Sequence, residues 1–363
     1  MPDTGQDRPT LGDSLAARGI SRRSLLKYAG YLAGLMALPP MASRAMAEAL
    51  AGAGRQSVIW LSFQECTGCV ESLTRSFSPT IEDMIFNLIS LDYSETLMAA
   101  SGTAAEEARL AAMEANKGKF ILVVDGSVST RDDGIYSTNA GKTNLAVLKE
   151  TAAEAAAVIS VGTCAAFGGI PAARPNPTGA VPVSEIVTDK PVVNISGCPP
   201  IPDAIAGTIA YFITFGKLPE LDHLNRPRAF FGDSIHDRCY RRPYYDKGLF
   251  AKSFDDEGAR NGWCLYEVGC KGPVTYNACA TLKWNGGVSF PIQSGHGCLG
   301  CSEPGFWDQG GFYKPLSASV MGNNAVLGGA AAAGLVAGAA SVAMARRRRA
   351  AAMAAASKPG ETK

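Results

Sequence analysis

Val58-Ile59-Trp60-Leu61-Ser62-Phe63 runs, after one glutamine, into Glu65-Cys66-Thr67-Gly68-Cys69. A short apolar run of strand-forming residues thus ends in two cysteines three positions apart. The arrangement recurs. Ala157-Val158-Ile159-Ser160-Val161 leads to Gly162-Thr163-Cys164, and Val192-Val193-Asn194-Ile195 leads to Gly197-Cys198-Pro199-Pro200. A further run, Phe120-Ile121-Leu122-Val123-Val124, is followed by Asp125-Gly126, a tight turn without a ligand. Helical patterns at 106–116 and 145–156 separate these runs. Strands alternating with helices predict βαβ units and a parallel sheet. Near-continuous apolar strands predict that both faces of the sheet are covered.

In open α/β sheets, sites form outside the carboxyl ends of the strands. Cys66, Cys69, Cys164 and Cys198, far apart in sequence, are therefore expected to meet at one edge. Four thiolates at one point suit an iron–sulfur cluster or zinc. Gly68, Gly162 and Gly197 let the backbone pass close to a bulky group. Paired disulfides compete with this reading, and an exported chain would favour them.

From about Pro227 the periodicity fades, and glycine, proline and aromatic residues increase. His236-Asp237-Arg238-Cys239, Cys264, Cys270, Cys279 and Cys298-Leu299-Gly300-Cys301 fall in this stretch. A region so poor in regular elements needs metal or disulfide staples. Six cysteines allow three disulfides, but that leaves His236 unexplained. Of the three histidines, His223 and His296 carry no such pairing and are read as structural.

The two ends differ in character from this body. Arg22-Arg23 precedes Leu25-Leu26-Lys27, then a weakly apolar stretch, then Ala45-Met46-Ala47. This order matches a twin-arginine export leader over residues 1–47, with cleavage after Ala47. At the other end, residues 325–345 are 21 positions without a charge. At about 1.5 Å per residue they span roughly 31 Å, enough for a bilayer core. Arg346 to Arg349 follow, which places the tail 346–363 in the cytoplasm by the positive-inside rule. Gly334 and Gly338 form a G-x-x-x-G contact face. The bulk is expected at the cell membrane on the extracytoplasmic, periplasmic side. In the whole 363-residue chain, hydrophobic residues are 47% and the net charge is +1. That composition supports a real core and offers no basic face for nucleic acid.

Taken together, these motifs resemble the small subunit of nickel–iron hydrogenases, in its membrane-bound branch. The resemblance runs from about Val58 to Leu316. It rests on Glu65-Cys66-Thr67-Gly68-Cys69, Gly162-Thr163-Cys164, Gly197-Cys198-Pro199-Pro200, His236-x-x-Cys239, Trp263-Cys264, Gly269-Cys270-Lys271-Gly272-Pro273 and Gly297-Cys298-x-x-Cys301. It implies a flavodoxin-like parallel-sheet domain (55–226), a loop-rich iron–sulfur domain (227–316) and a C-terminal transmembrane helix. It also implies a proximal [4Fe–4S] cluster on Cys66, Cys69, Cys164 and Cys198. A distal [4Fe–4S] cluster would use His236, Cys239, Cys264 and Cys270, and a medial [3Fe–4S] cluster Cys279, Cys298 and Cys301. Pro291 stands where a fourth medial ligand would otherwise be.

The implied role is a wire. Hydrogen is oxidised at a nickel–iron site in a separate large subunit. Electrons leave through the three clusters to a membrane cytochrome b or a quinone-reactive integral subunit. Gly68 and Gly169 occupy the positions where oxygen-tolerant relatives carry two further cysteines, so a conventional, oxygen-sensitive proximal site is implied. Lys271 and a nearby aromatic residue are candidates for docking the acceptor, and Glu65 for supporting the proximal site. The alternative is an iron–sulfur subunit of another membrane-anchored redox complex. The ferredoxin run C-x-x-C-x-x-C-x-x-x-C-P is absent, which counts against its commonest form.

Overall fold

Side chains alternate across a strand, so a run of apolar residues feeds two faces at once. In β1 (Gln56–Ser62), Val58 and Trp60 join one apolar cluster while Ile59 and Leu61 join another. The other strands are β2 (Ile89–Ser94), β3 (Ile121–Asp125), β4 (Ala157–Val161) and β5 (Val192–Ile195). In β3, Ile121 and Val123 face the first cluster and Leu122 and Val124 the second. Both faces are thus covered, as the continuous runs predict. The structure is a computed structural model that describes residues 22–36, 38–52 and 55–316.

The five strands pair in parallel in the order β2-β1-β3-β4-β5. This is the doubly wound order of flavodoxin, whose ligand crevice opens at the carboxyl ends beside β1 and β3. The edge strand β2 has no counterpart among the expected strands. Ser90 and Asp92 interrupt its apolar run, and both Ser57 and Ser90 donate to the Asp92 carboxylate. An edge position tolerates such polar residues, and it removes the apolar signal that marks a central strand.

Two helices precede the sheet, α1 (Arg22–Leu35) and α2 (Ala42–Gly52). Within the body come α3 (Gly68–Thr74), α4 (Gly102–Ala115), α5 (Asn144–Glu154), α6 (Thr163–Phe167) and α7 (Pro202–Phe215). α3 and α7 cover one face through Val70, Leu73, Ile205 and Ile209. α4 and α5 cover the other through Met113, Val147 and Leu148. Thr143 caps α5 by accepting from the Ala146 amide, and α7 stops at Gly216, which is left-handed at φ 61°.

From Pro227 onward the helices are single turns, such as Arg228–Phe231, Arg242–Asp246 and Glu257–Arg260. Ile235, Ala251, Leu265, Val268, Phe290 and Ile292 form a small core with Cys270, and Cys239, Cys279 and Cys298 pack against it. Thiols occupy positions that aliphatic side chains fill in an ordinary core. This region belongs with the sheet to one compact unit ending at Lys314. Arg226, 1% exposed, ties residue 303 to the segment after β5: its guanidinium pairs with Asp222 at 2.8 Å and Glu303 at 3.0 Å.

The expected membrane helix 325–345, the tail 346–363 and the first part of the leader, 1–21, lie outside the described residues. Among the described residues, no helix is long and apolar enough to cross a membrane.

Candidate metal centres

The sheet brings Cys66, Cys69, Cys164 and Cys198 to its carboxyl edge. Cys66 lies in the turn after β1 and Cys69 in the first turn of α3. Cys164 opens α6 directly after β4, and Cys198 lies between β5 and α7. Local backbone explains the approach. Thr67 takes a left-handed conformation (φ 66°), which turns the Cys66–Cys69 loop back on itself. At Gly162 (φ +91°) a β-carbon would stand 2.4 Å from Cys69 Sγ, so only glycine lets β4 pass this thiol. Gly68 and Gly169 sit beside Cys66 and Cys164, their missing β-carbons 3.2 and 2.7 Å from the two sulfurs.

The second group lines one pocket. His236, Cys239, Cys264 and Cys270 surround it together with Arg241, Leu265 and Ile292. The pocket is narrow, with a cavity volume of about 10 Å³, and opens partly to solvent. The His236 ring sits edge-on to Tyr245 at 4.5 Å, and Tyr245 packs in turn on Phe250 and Tyr266. Burial, then the Arg242 charge, lowers the His236 pKa, which favours the neutral ring that a metal ligand requires. Amides aim at the sulfurs: Arg241 N–H donates to Cys239 Sγ and Gly272 N–H to Cys270 Sγ, each at 3.4 Å. Such bonds compensate thiolate charge and tune a bound metal centre.

Cys279, Cys298 and Cys301 lie between these two groups. Cys298 N–H donates to Cys270 Sγ at 3.3 Å, and Lys271 N–H donates to the Cys298 carbonyl at 2.7 Å. On the other side, Thr163 Oγ1 donates to the Cys301 carbonyl while accepting from the Gly197 amide at 2.9 Å. Ser196 Oγ donates to the Ser302 carbonyl at 2.8 Å. Cys198 and Cys301 are near enough to raise the Cys198 pKa. The three groups therefore stand in series, each stapled to the next. Sequence reasoning leaves Thr163, Ser196 and Arg226 without roles, because a hydroxyl or guanidinium bridging two loops has no local signature.

Burial, reinforced by neighbouring thiols, pushes Cys198 and Cys279 up to about 12, and Cys164 and Cys264 up to about 11. Cys69 and Cys298 are held well above the thiol range for the same reasons. Thiols crowded this way become thiolates when a metal supplies positive charge. All ten cysteines are free, so the structure pairs none as a disulfide. Among the described residues, no three His, Cys, Asp or Glu side chains close to the spacing of ligands around one metal ion. The donor set and the glycine cradle at Cys69 suit a cluster better than a single zinc ion.

Beneath the first group lies Asp125, at the end of β3 and fully buried. Its Oδ1 accepts from Trp60 Nε1 at 3.0 Å, and burial, aided by the Glu65 charge, pushes its pKa up to about 7. Sequence reasoning gives Asp125 only a place in a turn. Its signal, an acid ending an otherwise apolar central strand, is nonetheless present in the sequence. Glu65 accepts from Thr67 Oγ1 at 3.2 Å and is raised by burial. Lys271 is not displayed for docking as expected. It is 7% exposed, and its ammonium donates to the Lys314 carbonyl at 2.6 Å. His296 packs on Phe254 and Tyr313 at 5.8 and 5.5 Å, the structural role expected of it.

By class, a sheet edge and a loop core this rich in grouped thiols define an iron–sulfur protein. Comparison with known proteins carries the assignment further. Residues 231–314 match the model of the C-terminal region of the NiFe/NiFeSe hydrogenase small subunit, and 66–212 match that of the NADH ubiquinone oxidoreductase 20 Kd subunit. The uptake hydrogenase small subunit of Azotobacter vinelandii is 51% identical over 85% of this chain and 86% of its own. The hydrogenase-1 small chain of Escherichia coli K12 is 48% identical over 84% and 82%. A solved [NiFeSe]-hydrogenase chain from Dm. baculatum superposes with a TM-score of 0.68 at 36% identity, covering 72% of this chain and all of that one. The chain belongs to the family of nickel–iron hydrogenase small subunits.

Proposed function

We propose that the chain is the electron-transfer subunit of a membrane-attached uptake hydrogenase. Hydrogen is oxidised in a separate large subunit that carries the nickel–iron site. Electrons then cross this chain to a membrane cytochrome b or a quinone-reactive integral subunit. Cys66, Cys69, Cys164 and Cys198 hold a proximal [4Fe–4S] cluster. Cys279, Cys298 and Cys301 hold a medial [3Fe–4S] cluster. His236, Cys239, Cys264 and Cys270 hold a distal [4Fe–4S] cluster. The observation that carries this reading is the serial linkage between groups: Thr163 bridges the Gly197 amide beside Cys198 to the Cys301 carbonyl, and Cys298 N–H donates to Cys270 Sγ.

The clusters supply one-electron carriers whose potentials respond to charge, hydrogen bonds and exposure. The chain's residues set those terms. His236 replaces a thiolate by a neutral ligand and so removes a negative charge from the distal site. The amides of Arg241, Gly272, Cys298 and Gly300 donate to ligand sulfurs and offset their charge. Tyr245, Phe250 and Tyr266 shield the distal pocket from water. Gly68 and Gly169 leave the proximal site with four cysteines, which supports the oxygen-sensitive type.

Residues 1–47 serve as a twin-arginine leader, 325–345 as a single membrane anchor and 346–363 as a cytoplasmic tail. The body then works on the extracytoplasmic side. The order of arginine pair, apolar stretch and small-residue motif supports the leader, and the arginine run after an uncharged segment supports the anchor.

The test is iron and acid-labile sulfide in the anaerobically purified complex, with electron paramagnetic resonance before and after hydrogen. Metal sufficient for two [4Fe–4S] and one [3Fe–4S] cluster, with an oxidised [3Fe–4S] signal that hydrogen abolishes, is the expected result. Clusters that ignore hydrogen would move the chain to another membrane redox complex, a reading favoured by the match of 66–212 to a quinone-linked oxidoreductase subunit. Absence of iron would overturn both.

A further inference from the structure

α1 and α2 fold against one another and lie on α7 of the body. Ala29, Leu32, Ala33, Met46 and Ala47 are buried in one apolar cluster with Ala210 of α7. Met36 reaches into the main core, its sulfur 3.7 Å from where a β-carbon on Gly207 would stand. Tyr31 Oη donates to Asp203 Oδ1 at 2.6 Å, in the first turn of α7. Exposure divides this segment sharply. Arg23 is exposed. Met46 and Ala47, the end of the expected cleavage motif, are 0% and 4% exposed and lie inside α2.

A peptidase reads its substrate as an extended strand that it can pair with. A buried helical segment offers no such strand. We propose that, in the uncleaved chain, the leader docks in cis on α7 and masks its own processing motif, while Arg23 stays open to a receptor. Processing then follows undocking. The inference rests on the reading of residues 1–47 as an export leader.

The docked state is built to release. Three of its six buried leader side chains, Ala29, Ala33 and Ala47, are alanines, which bring little apolar area. The Tyr28 hydroxyl is buried without a hydrogen-bond partner, a cost that undocking removes. Gly30 and Gly34 weaken α1 as a free helix, so it holds its shape mainly through this contact. The docking face also depends on a folded body. α7 starts just after Cys198, and Ser72 of α3 fastens the connecting turn by donating to the Pro200 carbonyl at 2.6 Å.

Three of the leader's four methionines, Met36, Met41 and Met46, read the state directly. Met41 is 82% exposed, whereas Met36 and Met46 are 6% and 0% exposed. A single microsecond pulse of hydroxyl radical on the full-length, cluster-loaded chain should label Met41 about tenfold more than Met36 or Met46, the contrast expected of a closed local structure. Leu32→Glu, which places a charge in the buried cluster, should bring all three within about twofold. Tyr31→Phe, which removes only the bond to Asp203, should give an intermediate pattern with iron content unchanged. Purified leader peptidase should cut the Leu32→Glu chain several-fold faster than the parent chain. Equal labelling of the three methionines in the parent chain would overturn docking. Equal cutting rates would overturn masking. An exported protein that still carries residues 1–47 would instead overturn the leader reading and leave the docking result intact.

Discussion

Gly162 does what no other residue in the proximal loop can do. Its φ of +91° and the 2.4 Å approach to Cys69 Sγ exclude any side chain. Gly162→Ala should strain the backbone by about 1–3 kcal/mol and displace Cys69. On the proposed cluster assignment, the purified chain should lose about the proximal share of its iron and keep the other cluster signals. Iron analysis with electron paramagnetic resonance checks this.

Asp125 gives a second prediction at the same scale. Its pKa rises from 3.8 to about 7 because burial disfavours the carboxylate. The fold therefore prefers the protonated form. That contribution is complete below the unfolded pKa and is lost as pH rises through the folded one. Thermal stability should fall between pH 5 and pH 7.5 by about 2–3 kcal/mol from this group. Asp125→Asn should remove that slope in a melting series. The meeting of Cys66, Cys69, Cys164 and Cys198 at one sheet edge is legible in the sequence, because a cysteine just beyond an apolar strand is a strong pattern. Thr163 is not, since its partner Cys301 lies across the fold, and Asp125 shows only as an acid ending an apolar strand.

At the scale of elements, the central strands and their cysteine turns are readable because each is a nearly pure apolar run. β2 is not, because its polar Ser90 and Asp92 suit an edge and break the run. The change of composition near Arg226 is the boundary expected from the sequence; in the structure Arg226 is buried there and pairs with both Asp222 and Glu303. Removing one partner of such a pair leaves the others uncompensated, at a cost of about 3–5 kcal/mol. Arg226→Ala should lower the melting temperature and loosen the Cys301–Ser302 loop, seen as a broadened medial-cluster signal. Arg226→Lys should recover only part of it, because one ammonium does not reproduce the fork that spans Asp222 and Glu303.

At the scale of the whole molecule, the parallel sheet and the convergence of four cysteines follow from alternation of strands and helices. The loop-rich half offers no such periodicity, and its grouping is legible only through family resemblance. Removing residues 325–363 should release the complex from membranes in active form, assayed as hydrogen-dependent dye reduction in the soluble fraction. Retention in the membrane would show that a partner, not this segment, holds it.

The core of residues 227–316 has a further consequence. Cysteines fill the places that aliphatic side chains would take, so the region has little of its own to collapse around. An empty chain and a loaded one should then differ in girth, and a sizing column or a protease should tell them apart. Girth and protease resistance would then report, copy by copy, whether the clusters are in place.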